Sequence, residues 1–286
     1  MQIHLMIRLA MASFVVAATV LVSGCGPKSS SQSVAPRSAG SIPASLQGVT
    51  EKYRAFAISE CDALVKGTRL FVAAIAARDM TQAKKLYATT RMSYERIEPI
   101  AEALGGLDPD IDAREGDVPE ADWRGFHRIE RTLWMGQGIP EVNAYADRLL
   151  EDVTLLRATL DGVEITNAAL AVGAVELLNE VSSTKITGEE ERYSHTDLYD
   201  FAANVEGANE IFLLLRPFVK EKDPVLEQKT ADAFQNVFKE LGEHKKGSDY
   251  VLYTELNSAR TKVLAQAVDV LADSLAKVGA LVGDAK

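Results

Sequence analysis

Between Gly125 and Trp134 the chain reads Gly-Phe-His-Arg-Ile-Glu-Arg-Thr-Leu-Trp, placing His127 and Glu130 three residues apart. On a helix, positions i and i+3 share a face, so an imidazole and a carboxylate point into one space. Histidine is scarce: apart from His4 the chain holds only His127, His195 and His244. Phe126, Ile129, Leu133 and Trp134 give the stretch a packing face. Two readings follow. The pair ligates a metal ion through one imidazole nitrogen and one carboxylate oxygen, or it is a His–Glu hydrogen bond inside a helical core. A hard or borderline ion such as Fe³⁺, Fe²⁺ or Zn²⁺ needs further ligands from other helices.

The same stretch bears on catalysis. Zinc peptidases need a second histidine close by, as HExxH or HxxEH. Arg131 stands where HxxEH needs that histidine, and the chain contains no His-Glu dipeptide. A glutamate base beside a zinc-bound water stays open as an alternative. A di-iron carboxylate oxidase asks for two ExxH pairs; here one pair runs in the opposite order.

The elements that must position these residues are helices. Ala, Leu, Glu and Val dominate the 286 residues, and apolar positions recur at three- and four-residue steps. The spacing predicts eight helices, at about 49–78, 81–105, 125–134, 142–160, 163–181, 195–219, 223–241 and 248–282. Thr81 is the expected cap of the second, which Pro99 should kink. Ser194 or Thr196 is the expected cap of the sixth, and Asp223 that of the seventh, with Pro224 at its first position. Cys61 falls on the apolar stripe of the first helix and reads as a small buried hydrophobe. Residues 105–120 read as a loop carrying Asp108, Asp110, Asp112, Glu115, Asp117 and Glu120, without the glycine and glutamate register of an EF-hand. No alternating run of β-branched residues marks a strand pair. Eight amphipathic helices predict an all-α fold of two packed four-helix bundles, at about 48–160 and 161–286.

Residues 1–24 read as a signal peptide, with Arg8 ahead of an apolar run from Leu9 to Val22. Val22-Ser23-Gly24-Cys25 resembles a bacterial lipobox, which implies cleavage before Cys25 and lipidation of its thiol. Residues 25–47 then form a flexible lipid-anchored tether rich in Ser, Pro, Gly and Ala. Cleavage removes Arg8 and no acid, so a net charge of −10 becomes −11. That balance argues against binding nucleic acid over a broad face.

Tyr94-Glu-Arg-Ile-Glu-Pro-Ile-Ala-Glu102, Ile111-Asp-Ala-Arg-Glu115, Gly125–Glu130, Asn204-Val-Glu-Gly-Ala208 and the block from Lys185 to Leu198 resemble the imelysin-like domain of the EfeO/EfeM family. The likeness covers about residues 48–286. It implies a helical two-bundle fold and an extracytoplasmic, periplasmic iron-binding component of an iron-uptake system. The implied partners are an iron permease in the membrane and a periplasmic haem peroxidase. Larger members carry an N-terminal cupredoxin domain; only a tether precedes the helices here, which matches the shorter EfeM type. The resemblance makes Glu95 and Asp112 the best further metal ligands beside His127 and Glu130, then Glu60, with Glu98 one helical step from Glu95. It also brings Glu190 and His195 to a metal site or its cleft. Arg114 and Arg128 are the bases that would pair with these acids. The expected cargo is iron, as Fe²⁺ or Fe³⁺, with zinc or copper as competitors. Two alternatives accompany this reading: a zinc-dependent peptidase of the HxxE type, and a binder of acidic polysaccharide, which a charge of −11 disfavours unless cations bridge.

Overall fold

The computed structural model describes residues 42–100, 105–136 and 140–285. Cys25, the signal peptide and the tether up to Ser41 lie outside the described residues. Helices dominate: α1 (Val49–Ala76), α2 (Met80–Glu95), α3 (Leu107–Asp112), α4 (Phe126–Met135), α5 (Val142–Thr159), α6 (Asn167–Ser183), α7 (Asp197–Lys222), α8 (Pro224–Gly242) and α9 (Ser258–Gly283). Among the described residues no helix is long and apolar enough to cross a membrane.

α1 buries Tyr53, Ala57, Cys61, Leu64, Phe71 and Ile75 along the anticipated stripe. α1 packs against α2 and α5, and α4 lies against α5 and α2. α6 packs on α9 and α8 on α9, while α7 touches α1, α2, α6, α8 and α9. α7 is therefore the axis of the molecule, and it is buried on nearly every side. A helix in that position should be apolar all round. It instead carries buried Asp197, Asp200 and Asn204, three and four residues apart on one face.

Several boundaries differ from those the sequence predicts. α2 starts from Asp79, whose Oδ1 accepts the Gln82 N–H at 2.9 Å, two residues ahead of Thr81. It ends at Glu95 rather than bending through to Gly105, and residues 98–100 form a separate 3₁₀ turn. The reason is Pro99. Its ring would meet the carbonyl of Glu95 four residues back, and it has no N–H to give that carbonyl. Asn204 Nδ2 supplies the missing donor at 3.1 Å. α3 forms inside what reads as a loop, with Asp108 and Asp110 favourably placed in its first turn. The last helix begins at Asn257, whose side chain caps Arg260 N–H at 3.0 Å, not at Ser248. The residues before it form a two-residue antiparallel hairpin, Lys245–Lys246 with Asp249–Tyr250, a strand pair too short to leave an alternating pattern. The Asp223 cap is as expected: Oδ1 accepts Val225 N–H and Leu226 N–H, with Pro224 at the first position.

Two glycines let backbones meet around the centre described next. Gly125, at φ +88°, leads into α4; a Cβ there would lie 2.2 Å from the Ile111 carbonyl oxygen, so only glycine brings α4 against α3. Gly207 on α7 faces the Arg96 carbonyl, 2.2 Å from where its Cβ would be. The end of α2 and the middle of α7 thus touch at backbone level.

Candidate metal centre

α4 presents His127 and Glu130 into the space bounded by α2, α3, α7 and the segment 185–196. Both side chains are buried, His127 at 2% exposure and Glu130 at 0%. His127 Nδ1 lies 3.4 Å from Glu130 Oε2. Oε1 of Glu130 accepts the backbone N–H groups of Tyr193 and Ser194 at 3.0 and 2.7 Å. Glu130 therefore ties α4 to the 185–196 segment while orienting the imidazole. A carboxylate only accepts, so Nδ1 carries the proton that joins them, and in the neutral ring Nε2 is the nitrogen with a lone pair to give.

Nε2 is buried and has no hydrogen-bond partner among the described residues. It points between Asp112 Oδ1, 3.6 Å away at the end of α3, and Glu190 Oε1, 3.9 Å away. These contacts are too long for hydrogen bonds. They suit atoms that share an ion: ligands about 2.1 Å from one centre lie up to about 4.2 Å apart. A second set, His127, Glu130 and Glu191, gathers on the Nδ1 side, with Glu191 Oε1 4.0 Å from that nitrogen. Since Nδ1 is engaged by Glu130, the Nε2 side with Asp112 and Glu190 is the face open to an ion. One imidazole nitrogen with carboxylate oxygens makes a set for iron or zinc rather than for a soft thiophilic ion.

The surroundings are charged and mostly buried. Glu95, Glu98, Asp112, Glu130, Glu190, Glu191, Asp197 and Asp200 converge with two fully buried cations, Arg91 and Lys185. Lys185 Nζ reaches Glu98 at 2.9 Å, Glu95 at 3.2 Å and Glu190 at 3.4 Å. Arg114 closes the outer side, 2.8 Å from Glu190 Oε2. Burial pushes the Asp112 carboxyl up to about 6 against the pull of Arg91, and it pushes Asp197 up to about 6 as well. Burial also carries Glu98, Glu191 and Asp200 well above the carboxylate range. The remaining three go the other way. Burial raises Glu95, but Lys185 and Arg91 outweigh it; burial raises Glu190, and Lys185, His127 and Arg91 together outweigh it; burial raises Glu130, and its bonds to His127 and the Ser194 N–H outweigh it.

The centre communicates with solvent. A cavity of about 200 Å³ lined by Asp112, Glu190, Glu98, Asp108, Glu180 and Arg114 reaches its edge. A larger groove of about 710 Å³ shares Glu98, Asp108 and Glu180 with it and adds Glu164 and Glu176.

The structure thus brings together His127, Glu130, Asp112 and Glu190. Glu95 and Glu98 belong to the surrounding ion network, held by Lys185. Glu60 and His195 stand elsewhere. Glu60, on α1, pairs at 3.1 Å with Arg96, which also holds Glu206 at 2.7 Å on the other side. His195 sits at φ +58° and serves through its backbone, its N–H on the Glu191 carbonyl and its C=O accepting Tyr253 N–H at 2.8 Å; its ring joins neither ligand group. Arg128 pairs with Glu120 and stacks on Trp123, away from the ligands. Glu191, Arg91, Lys185, Asp197 and Asp200 are the residues that the sequence reading passed over. The polar positions 197, 200 and 204 on an otherwise apolar helix were the available signal for the last two.

The family profile for Imelysin (peptidase M75) matches residues 49–278. A protein of Staphylococcus haemolyticus (strain JCSC1435) named "Efem/EfeO family lipoprotein" is 42% identical over 277 residues, covering 93% of this chain and 96% of its own. A protein of the same name from Staphylococcus aureus (strain NCTC 8325 / PS 47) is 42% identical over 246 residues, covering 84% of this chain and 87% of its own. With a profile spanning most of the helical domain, and relatives matched over nearly their whole length, this chain belongs to the imelysin family, among the EfeM/EfeO proteins.

Proposed function

We propose that this chain is an extracytoplasmic lipoprotein that captures iron and presents it to a membrane permease, with a haem peroxidase as a further partner in the periplasm. The observation that carries the reading is the His127 Nε2 atom: buried, without a hydrogen-bond partner among the described residues, and facing one oxygen each of Asp112 and Glu190. Its oxygen-rich surroundings favour iron, with zinc or copper as competitors for the imidazole. The lipobox at Val22–Cys25 and the word lipoprotein in the names of the relatives support anchoring through Cys25. The acid-lined groove supports a cation rather than a polyanionic sugar as the species that approaches. Glu130 is a poor fit to the base of a zinc peptidase, because it is buried, held below the usual carboxylate range and bonded on one oxygen by two backbone N–H groups.

His127→Ala should weaken iron binding at least about 100-fold, read by calorimetry with Fe²⁺ under anaerobic conditions, while far-UV circular dichroism stays unchanged. Unchanged affinity would remove the assignment. Glu130 is left in place in this test, because its loss strips two backbone N–H groups of their acceptor.

A further inference from the structure

The carboxylate oxygens that face the His127 ring are the ones Arg91 already holds. Asp112 Oδ1, which faces Nε2, accepts a hydrogen bond from Arg91 Nη1. Glu190 Oε1, on the other side of Nε2, lies 3.5 Å from Arg91 Nη2. Glu191 Oε1, near Nδ1, lies 2.6 Å from Arg91 Nε. The same guanidinium bonds Glu95 and contacts Asp200 at 3.3 Å. Its side chain is 0% exposed. A guanidinium does not lose its proton in proteins. It therefore yields these oxygens only by moving or by being outcompeted.

Resting on the reading of His127 as a metal ligand, we propose that Arg91 is the resident counter-cation of the centre, which an incoming metal ion must displace from Asp112 and Glu190. Without metal, Arg91 neutralises carboxylates that would otherwise be buried and unpaired. With metal, the two cations contend for the same lone pairs and repel one another. Attraction to the carboxylates grows with the charge of the ion and falls with its distance. A small, highly charged ion displaces the guanidinium with gain; a large divalent ion such as Ca²⁺ gains less than it must replace. Arg91 thus sets a threshold common to all ions, which leaves weakly attracted ones such as Ca²⁺ unbound at concentrations where strongly attracted ones load. It also assists unloading, because the guanidinium returns to the oxygens as the ion departs. Uptake and release become an exchange of one cation for another.

The test uses the full chain and its Arg91→Gln and Arg91→Lys variants, with His127→Ala as the control. Each is titrated with Zn²⁺, with Ca²⁺ and with ferric ion supplied as its citrate chelate. Arg91→Gln should bind Zn²⁺, Ca²⁺ and ferric ion about 10-fold tighter or more, because the cost of displacing the guanidinium is lifted from each. Arg91→Lys keeps the charge but loses the planar fork, so it should shift the same way by less. A purely structural arginine would weaken all ions together. If Arg91→Gln is unfolded without metal, the Zn²⁺ concentration that refolds it reports its affinity, and Arg91→Lys carries the affinity comparison. Binding by the wild type that depends on His127, with no gain of affinity in either Arg91 variant, overturns the counter-cation while leaving the metal centre standing. No binding by the wild type removes the centre and the counter-cation together.

Discussion

Lys185→Met should cost the metal-free protein about 3–5 kcal/mol, the usual penalty for stripping one partner from a buried ion pair. Lys185 is 1% exposed, and its ammonium group stands among Glu95, Glu98, Glu190 and the side-chain oxygen of Asn204. Methionine fills a similar volume, so the loss is one of charge rather than packing. Glu95 would keep Arg91, whereas Glu98, already pushed up by burial, would have no cation. For a domain of this size, that cost corresponds to a fall in Tm of roughly 10 °C. Urea and thermal melts of the metal-free variant measure it. Adding Glu98→Gln to Lys185→Met should recover part of the loss, because it removes the carboxylate left alone. A loss below about 1 kcal/mol would mean that Lys185 is a solvated base and the network is not what holds the segment 185–196 on α2 and α7.

The metal-free protein should become more stable as the pH falls from about 7.5 to about 5.5. The sign follows from the buried carboxyls. Asp112 and Asp197 are pushed up to about 6, and Glu98, Glu191 and Asp200 higher still. In this window the folded chain takes up protons that the unfolded chain, with ordinary carboxyls, does not. Stability therefore rises on acidification. The carboxyls held low, Glu95, Glu130 and Glu190, act only below the ordinary carboxylate range, where their protonation takes stability away. The curve should peak near pH 5 and collapse below about 4. Asp112 alone supplies about 1 kcal/mol of the rise across this window. Saturating Zn²⁺ or Fe²⁺ should reverse the trend over the upper window. Metal ligands must be deprotonated, so protons compete with the ion. Denaturant midpoints with and without metal at the two pH values check both arms. A metal-free midpoint that falls between about pH 7.5 and 5.5 would contradict the burial of these acids.

The parts of the fold legible in the sequence were those written in local chemistry. The stripe from Tyr53 to Ile75, the Asp223-Pro224 start of α8 and the span of α5 each follow from spacing or capping within a few residues. The parts missed depend on contacts far along the chain. Pro99 marks the break locally, but what satisfies the Glu95 carbonyl where α2 stops is Asn204, 109 residues later. α3 is too short to show a period, and it is held where Gly125 lets α4 approach and where Trp123 Nε1 donates to the Ala113 carbonyl at 2.7 Å.

The candidate site divides in the same way. The His127–Glu130 pair is local, spaced by one helical step, and it stands out because histidine is rare here. Asp112 and Glu190 became candidates only through family likeness, since an acid in a loop and an acid in a run of three look solvated. The run in fact splits: Glu189 is 61% exposed, whereas Glu190 and Glu191 turn inward. Arg91 and Lys185 left no signal, because a base that will be buried reads the same as one on the surface. Glu60 entered through the same likeness, but on α1 it pairs with Arg96.

The most direct measurement is the anomalous scattering of iron in crystals of the protein loaded with it. One strong peak is expected about 2.1 Å from His127 Nε2, bounded by Asp112 and Glu190, with the Arg91 guanidinium drawn back from both. A peak among the exposed carboxylates of the groove, with His127 Nε2 still unpartnered, would contradict it.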